Sequence, residues 1–304
     1  MPTGIDPESV KRSAPVDAMC VHAFADGLHY ARRIARFLGV SSEIVEVHRF
    51  PDRETLVRVA PNPGRYAILV RSLDNPDAKL IETIFAADAL RRAGSNRVTL
   101  VAPYLPYMRQ DRVFHPGEPI SQRVIGDLLG RCFDAVLTME PHLHRVKSLT
   151  EIVAHARSVN AAPAIARWIR SKDCVVVGPD SESGLMAKSV AKILGSGFVV
   201  GKKNRIGDRS VSVRFGEMPK VRRAVIVDDI ASSGVTMAAA VRAVREAGIA
   251  TVDAVIVHAI FAPGAIETIR RAGARRVVSC DTIAHETNAI RTASVFADAL
   301  KGSV

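Results

Sequence analysis

Short apolar runs alternate with longer amphipathic or alanine-rich segments from about residue 18 to residue 300. The runs are rich in β-branched residues, which is typical of strands buried on both faces of a parallel sheet. They predict strands at 18–23, 44–49, 66–71, 97–102, 134–139, 174–178, 198–201, 224–228, 254–260 and 276–280. The intervening segments predict helices at 27–38, 76–93, 121–131, 159–171, 183–194, 235–247, 264–272 and 286–300. Such alternation predicts an α/β fold in which helices flank mainly parallel sheets.

Two segments follow a different pattern. RETLVRV (53–59) and RSVSVRF (209–215) alternate apolar and polar residues, so they predict an antiparallel flap. A weak internal repeat joins residues 89–103 to residues 243–259, because both contain a helix, an Ala-Gly stop and a buried strand. The repeat predicts two similar domains with a site shared between them. We place their limits as follows: a flexible tail at 1–17, a first domain at 18–152 that the C-terminal helix 290–304 joins, and a second domain at 153–289.

Composition narrows the function classes. No apolar run approaches the roughly 20 residues of a membrane-spanning helix, and the polar start has no apolar signal core, so we expect a cytoplasmic protein without a membrane partner. The four cysteines are widely spaced, which favours reduced thiols. A net charge of +11 calls for anionic partners, nucleic acid or small phosphates. The basic residues are scattered and no nucleic-acid motif occurs, but charge alone does not choose between these partners.

The stretch VIVDDIASSGVTM (225–237) carries the most specific chemistry. Asp228 and Asp229 follow a buried strand, at the edge where open α/β sheets place their ligands. The Ser-Ser-Gly-Val-Thr segment then opens a helix whose free N–H groups and hydroxyls can hold a phosphate. The two carboxylates would repel that anion, so they suit sugar hydroxyls or Mg²⁺. A sugar phosphate would account for both the phosphate-binding segment and the two carboxylates. The alternative is a helix cap and an ordinary turn, which explains one carboxylate better than two.

Three other segments could carry chemistry. APYLPYMRQDRVFHPGEPIS (102–121) places Arg109, Gln110 and Asp111 beside aromatic residues, as a nucleotide-binding loop would, although a solvated loop is equally consistent. In TMEPHLHR (138–145) Glu140, His142 and His144 could bind a metal, with the carboxylate mildly favouring Mg²⁺, or the histidines could bond to the backbone. Asp180 ends another strand, and the lysines and arginines of KKNR (202–205) could form a cationic flap or a solvated turn.

Taken in order, these segments resemble ribose-phosphate diphosphokinase, the phosphoribosyl pyrophosphate (PRPP) synthetase family, from about residue 18 to residue 300. The resemblance implies two phosphoribosyltransferase-like domains. RFPDRE (49–54) looks like the family's nucleotide-site motif, YMRQDRVF like its ATP loop, and VDDIASSGVT like its phosphoribosyl loop. The Ser-Ser form is closer to archaeal-type members. After His142 the glutamine-rich segment of the common members is replaced by LHRVKSL, so the resemblance does not extend to the subunit contacts and phosphate-dependent regulation formed there.

The resemblance implies diphosphoryl transfer from Mg-ATP to the C1 hydroxyl of ribose 5-phosphate, which yields PRPP and AMP, in a self-associating protein without a nucleic-acid partner. A phosphoribosyltransferase and a non-catalytic regulatory paralogue are the alternatives. The resemblance to the PRPP synthetase family also implies the site residues, which are carried over motif by motif. They are catalytic Lys203 and Arg205, with Lys202 as the alternative flap lysine; ATP-binding Phe50, Asp52, Glu54, Arg109, Gln110 and Asp111; ribose 5-phosphate-binding Asp228, Asp229, Ser232, Ser233, Gly234, Val235 and Thr236; and magnesium-binding His142 and Asp180.

Overall fold

The chain folds into two mainly parallel sheets, each flanked by helices, as the alternation of predicted strands and helices indicates. The computed structural model describes residues 19–206 and 210–301, so the predicted tail at 1–17 lies outside the described residues. Among the helices described, none combines the length and the apolarity that a membrane crossing requires.

The first sheet has seven strands and three helices beside it: β1 (Met19–Phe24), α1 (Leu28–Leu38), β2 (Ser41–Arg49), β3 (Thr55–Arg58), β4 (Tyr66–Val70), α2 (Pro76–Arg92), β5 (Arg97–Ala102), α3 (Ser121–Cys132), β6 (Ala135–Met139) and β7 (Ala156–Val159). Its strand order is β3-β2-β1-β4-β5-β6-β7. Only β3 runs antiparallel to its neighbour among these strands, which confirms the alternating pattern at 53–59.

The second half of the chain comprises α4 (Ala162–Ile169), β8 (Val175–Gly178), α5 (Gly184–Leu194), β9 (Gly197–Val200), β10 (Lys202–Ile206), β11 (Ser210–Arg214), β12 (Arg223–Ile230), α6 (Val235–Glu246), β13 (Thr251–His258), α7 (Ala265–Arg271), β14 (Arg276–Cys280), β15 (Asn288–Ile290) and α8 (Ala293–Lys301). Six strands form a parallel sheet in the order β15-β14-β13-β12-β8-β9. Strands β10 and β11 form the small antiparallel sheet, as predicted for the flap.

The predicted helix at 286–300 is wrong in its first part. Residues Asn288–Ile290 form β15 instead, and the helix begins at Ala293. The Asn288 amide donates to Ser279 Oγ and to the Cys280 carbonyl, both at 2.9 Å, so these residues find their partners in β14. Strand β7 escaped prediction because only its first and last residues are buried, which leaves no apolar run.

The core is continuous between the two halves. Helix α8 packs on α1 of the first half, where the fully buried Phe296 meets the Tyr30 ring edge-on. One apolar cluster therefore includes residues from both sheets, such as Val21 and Val176. Because β7 pairs with β6, we propose that the first domain reaches Val159, beyond the predicted limit at 152, and that α8 belongs to it.

Candidate functional site

A cavity of about 170 Å³ lies at the carboxyl ends of β8 and β12, and it also receives a side chain that follows β6. Residues from both sheets therefore line it, as the prediction of a shared site requires. Its lining comprises His142, Asp180, Glu182, Lys203, Asp228, Asp229, residues 230–234, Thr236 and Met237. Three segments that the sequence singles out separately thus meet in one place. Parallel strands bring the ends of β8 and β12 to one edge, and the segment after β6 reaches that edge from the other sheet.

The loop between β12 and α6 packs tightly against the backbone at the start of α7. Gly234 takes a left-handed φ of 75°, and a Cβ atom there would lie 2.7 Å from the Ala265 carbonyl oxygen, so only glycine fits. The Ala262 amide donates to the Ser232 carbonyl at 2.7 Å and holds the loop. Ser232 and Ser233 remain exposed beside the start of α6. The loop therefore offers hydroxyls and the N–H groups of a helix start to one point in the cavity.

The paired aspartates do not cap this helix. Its N-cap residue is Gly234, and no side chain bonds to that cap. Burial and the charges of Asp229 and Asp180 raise the pKa of Asp228 well above its ordinary value. Burial alone would also raise the pKa of Asp229, but the hydrogen bond and charge of His142 hold it below the ordinary value. The pKa values of the two carboxyls therefore shift in opposite directions, because His142 stabilises the charge of Asp229 while Asp228 lies buried among other carboxylates.

A row of four polar side chains crosses the site. Asp229 Oδ2 lies 2.5 Å from His142 Nδ1, and this bond raises the pKa of His142. His142 Nε2 lies 2.7 Å from His144 Nε2. His144 Nδ1 in turn lies 3.0 Å from Glu182 Oε1. The H-x-H pattern therefore has side-chain partners, and its histidines do not bond to the backbone among the contacts described.

Asp180 and Lys203 form another part of the cavity lining. Asp180 Oδ1 accepts from the backbone amides of Glu182 and Ser183 at 3.2 and 3.3 Å, while its Oδ2 lies 3.4 Å from Lys203 Nζ. Lys202 is exposed and does not line the cavity, whereas Lys203 does. The side chain of Arg205 lies outside the described part of the structure. Of the two predicted metal ligands, both reach the cavity, but no described hydrogen bond or ion pair joins them.

The predicted ATP loop lies beside this site. The Arg145 guanidinium holds the buried Asp111 carboxylate with two hydrogen bonds of 2.8 and 2.9 Å, which ties the loop to the segment after His142. Gln110 accepts from the Ser121 hydroxyl at the start of α3. Arg109 is exposed. Burial raises the pKa of Tyr104, and the nearby charge of Arg109 offsets part of that rise. Arg109 is therefore free to meet an anion.

The RFPDRE turn (49–54) does not line this cavity. Glu54 N donates to Asp52 Oδ1 at 3.0 Å, and Phe50 is 41% exposed in the turn between β2 and β3. In the sheet order four strand spacings separate β2 from β6, which amounts to roughly 19 Å. No described hydrogen bond or ion pair connects this turn with the aspartate pair.

Sequence reasoning missed His258, the last residue of β13. It is buried, and its Nε2 lies 3.0 Å from the Met139 carbonyl oxygen. Its place at the end of an apolar strand, at the same sheet edge as Asp228, is the signal that could have identified it. Arg145 carried no such signal, because its partner Asp111 is distant in sequence.

Comparison with known proteins agrees with the motifs. Residues 19–132 match a family model described as the N-terminal domain of ribose phosphate pyrophosphokinase, and residues 148–294 match one described as the phosphoribosyl transferase domain. A ribose-phosphate pyrophosphokinase from Methanopyrus kandleri is 32% identical over 289 residues, which cover 93% of this chain and 99% of the relative. One from Pyrococcus abyssi is 37% identical over 232 residues, which cover 75% and 80%.

A solved structure resembles the whole chain. The crystal structure of phosphoribosylpyrophosphate synthetase from Mycobacterium smegmatis superposes with a TM-score of 0.79 at 25% identity, over 94% of this chain and 99% of that one. The predicted fold class and enzyme class, including the likeness to archaeal members, are therefore confirmed. By sequence and by structure, the chain belongs to the ribose-phosphate pyrophosphokinase family.

Proposed function

We propose that this cavity transfers the β,γ-diphosphoryl group of ATP to the C1 hydroxyl of ribose 5-phosphate, which yields PRPP and AMP. The observation that supports it best is the meeting of a helix-start loop (232–236) with Asp228 and Asp229 in one cavity. The loop suits the 5-phosphate, and the carboxylates accept hydrogen bonds from ribose hydroxyls. A phosphate site without neighbouring carboxylates would lack these acceptors for the sugar hydroxyls.

In this reaction the C1 oxygen bonds to the β-phosphorus, and the bond from that phosphorus to the oxygen shared with the α-phosphorus breaks as AMP leaves. Charge develops on the oxygens of the transferred group, so catalysis depends on placement and on cations. Lys203 is the one lysine or arginine lining the cavity among the described side chains. We assign it to this charge, together with Arg205 on the strength of the resemblance, and assign Asp229 to orienting the C1 hydroxyl.

The residues present fit a magnesium ion. Asp180, Asp228 and Asp229 crowd one cavity, and their mutual repulsion contributes to the raised pKa of Asp228. A divalent cation relieves such crowding, and carboxylate oxygen is the donor that Mg²⁺ prefers. We place Mg²⁺ at Asp180, with His142 bordering it. When bound, Mg²⁺ would neutralise phosphate charge.

For the nucleotide we propose Arg109 at the ATP phosphates, because it is exposed beside the cavity, with Gln110 and Asp111 as the residues of the same ATP-binding loop that tie it into the fold. Phe50, Asp52 and Glu54 are proposed near the adenosine on the resemblance alone. Self-association is also a proposal, supported by exposed apolar side chains on the β2–β3 edge: Ile44, Val47, Phe50 and Leu56.

One assay tests the function. The purified chain is incubated with Mg-ATP, with and without ribose 5-phosphate, and AMP and PRPP are measured. AMP and PRPP formed only when ribose 5-phosphate is present support the proposal. Release of pyrophosphate from PRPP with a nucleobase, and no AMP from ATP, would instead favour a phosphoribosyltransferase. Neither activity would favour a non-catalytic paralogue.

A further inference from the structure

A second cavity, of about 150 Å³, lies between the two halves of the chain at the edge where β1 and β4 end. Asp26 and Gly27 follow β1, and Ser72 follows β4. Asp281, which follows β14, and Arg291, which precedes α8, line it from the second half. This space, the β1–β4 cavity, shares no lining residue with the cavity that contains the paired aspartates, so the two are separate.

The position of the β1–β4 cavity in its sheet matches the position of the proposed catalytic cavity in the other sheet. Strand β1 lies between β2 and β4, and β8 lies between β9 and β12, so the strand order changes direction at β1–β4 and at β8–β12. Open α/β sheets bind their ligands at such a switch point. Helices α2 and α6, which follow β4 and β12, also both begin after a residue with a left-handed φ, Asn75 at 50° and Gly234 at 75°. The repeated topology therefore places a second ligand position here.

One wall of the β1–β4 cavity carries surplus positive charge. The buried Asp281 carboxylate accepts from the Thr292 amide and hydroxyl through Oδ1, at 2.8 and 2.7 Å. Its Oδ2 lies 2.5 Å from Arg33 Nη2 and 3.8 Å from Arg291 Nη1. Arg291 is exposed, and its side chain makes no hydrogen bond among the described contacts. One carboxylate thus faces two guanidinium groups, and one positive charge is left for an anion.

Two polar atoms of residues that line the β1–β4 cavity have no hydrogen-bond partner in the described part of the chain. They are Arg33 Nε and the Ser72 hydroxyl, and both are buried. A buried polar group without a partner is destabilising until a partner reaches it. After small side-chain rotations, the oxygens of an anion in the cavity can accept from both atoms and from Arg291. The structure therefore lacks the acceptor that an oxyanion would supply.

The other wall offers an acceptor. The Asp26 side chain is 41% exposed, and its Oδ2 lies 3.3 Å from Lys79 Nζ and 3.5 Å from Arg71 Nη2. Its Oδ1 makes no hydrogen bond or ion pair among the described contacts. An ionised carboxylate accepts hydrogen bonds from hydroxyl groups, whereas it repels an anion. Asp26 therefore suits the hydroxyl-bearing part of a ligand and not its anionic part.

We propose that the β1–β4 cavity binds a phosphorylated sugar. Arg33, Ser72 and Arg291 hold its phosphate, and Asp26 accepts from its hydroxyl groups. Inorganic phosphate fits the cationic wall but leaves the carboxylate without a donor. The site is additional to the proposed function and depends on no step of the transfer reaction.

Equilibrium dialysis of the full chain with radiolabelled ribose 5-phosphate, in the absence of ATP, counts the sugar sites. We expect two sites per chain. Ser72→Ala removes only the hydroxyl without a partner, and it should weaken one of the two sites roughly 10- to 150-fold, as loss of a hydrogen bond to a charged group does. Its ligand-free Tm should be unchanged or higher, because no hydrogen bond within the chain is lost.

Arg291→Ala should weaken the same site, and Arg271→Ala is its matched control. Arg271 is also an exposed arginine paired with one carboxylate, Glu267 at 3.0 Å, but it does not line the β1–β4 cavity. The control should bind the sugar like the parent chain. Equal site number and affinity in the parent chain, Ser72→Ala and Arg291→Ala would overturn the proposal.

Competition with inorganic phosphate tests whether the β1–β4 cavity selects a sugar. We expect inorganic phosphate to bind at the Ser72-dependent site at least about 10-fold more weakly than ribose 5-phosphate, because it makes no hydrogen bond to Asp26. Equal affinities would contradict the assignment to a sugar. If the catalytic cavity binds no sugar, the parent chain shows one site, and weakening of that site in Ser72→Ala still supports the β1–β4 cavity. The two proposals can therefore fail separately.

Discussion

His258 Nε2 lies 3.0 Å from the Met139 carbonyl oxygen, and this hydrogen bond joins the end of β13 in one sheet to the end of β6 in the other. The Glu140 carbonyl lies 3.3 Å from the same nitrogen, and His258 Nδ1 faces the Thr282 hydroxyl at 3.0 Å. Burial lowers the pKa of His258 to about 4, so the ring is neutral near pH 7. Its one proton therefore belongs on Nε2, and it fixes the segment that carries His142.

The hydrogen bond from His258 to the Met139 carbonyl predicts a difference between two variants of His258. Glutamine places an amide nitrogen near the Nε2 position and keeps the bond to Met139, whereas asparagine is too short. We expect His258→Gln to keep most of kcat and His258→Asn to lose roughly 10- to 100-fold, because His142 and Asp229 lose their alignment. Both kcat and Tm are measured. A purely structural role would lower Tm in both variants and leave kcat equal.

Lys203 offers a second prediction. Removal of a preorganised cation that acts in the transition state lowers kcat by a factor on the order of 10²–10³ and changes KM little. Lys203→Ala should show this loss in steady-state kinetics. Lys202→Ala is the matched control, because Lys202 is the exposed neighbour on the same strand, and we expect it to react at the parent rate. Unchanged kcat in Lys203→Ala would remove Lys203 from the mechanism.

The sequence predicts the order of elements and most of the cavity for one physical reason. Buried parallel strands are continuous apolar runs, and the polar residues that follow them meet at one edge, so Asp180 and Asp228 could be placed together. Strand β15 could not be predicted, because the partners of Asn288 lie in β14 and not in its own segment.

Side-chain pairing within the site was equally hidden. Glu140 has a φ of 35°, which a local pattern does not predict for a residue other than glycine, and the position of His142 depends on this bend. The pairs Asp111–Arg145 and His142–Asp229 join distant segments, so only the folded chain reveals them.

Glu140 provides a prediction about pH and stability. Burial raises the pKa of Glu140 from 4.5 to about 7. Between these values the folded chain keeps a proton that the unfolded chain has lost, so the free energy of unfolding falls as pH rises through this window. The loss across this window is on the order of 3 kcal/mol.

Glu140→Gln isolates this effect. Glutamine keeps an oxygen for the Ala161 amide, which Glu140 Oε1 accepts at 2.9 Å, but it does not ionise. Urea unfolding of both proteins at about pH 5 and about pH 8 should show a smaller fall in the variant. An equal fall in both proteins would mean that Glu140 titrates at its ordinary pKa.

The last prediction concerns Asp229, which accepts from His142 and from the Ile230 amide at 2.5 and 2.7 Å. If it also holds a ribose hydroxyl, that charge-assisted bond contributes about 1.5–3 kcal/mol. Asp229→Asn should therefore raise KM for ribose 5-phosphate roughly 10- to 150-fold. KM for Mg-ATP should change little, because Arg109 to Asp111 remain in place. The loop at 232–236 would still hold the phosphate, so the sugar should bind, but poorly oriented. Kinetics with both substrates and Tm are measured together, and a lower Tm with unchanged sugar kinetics would show that Asp229 supports only the fold.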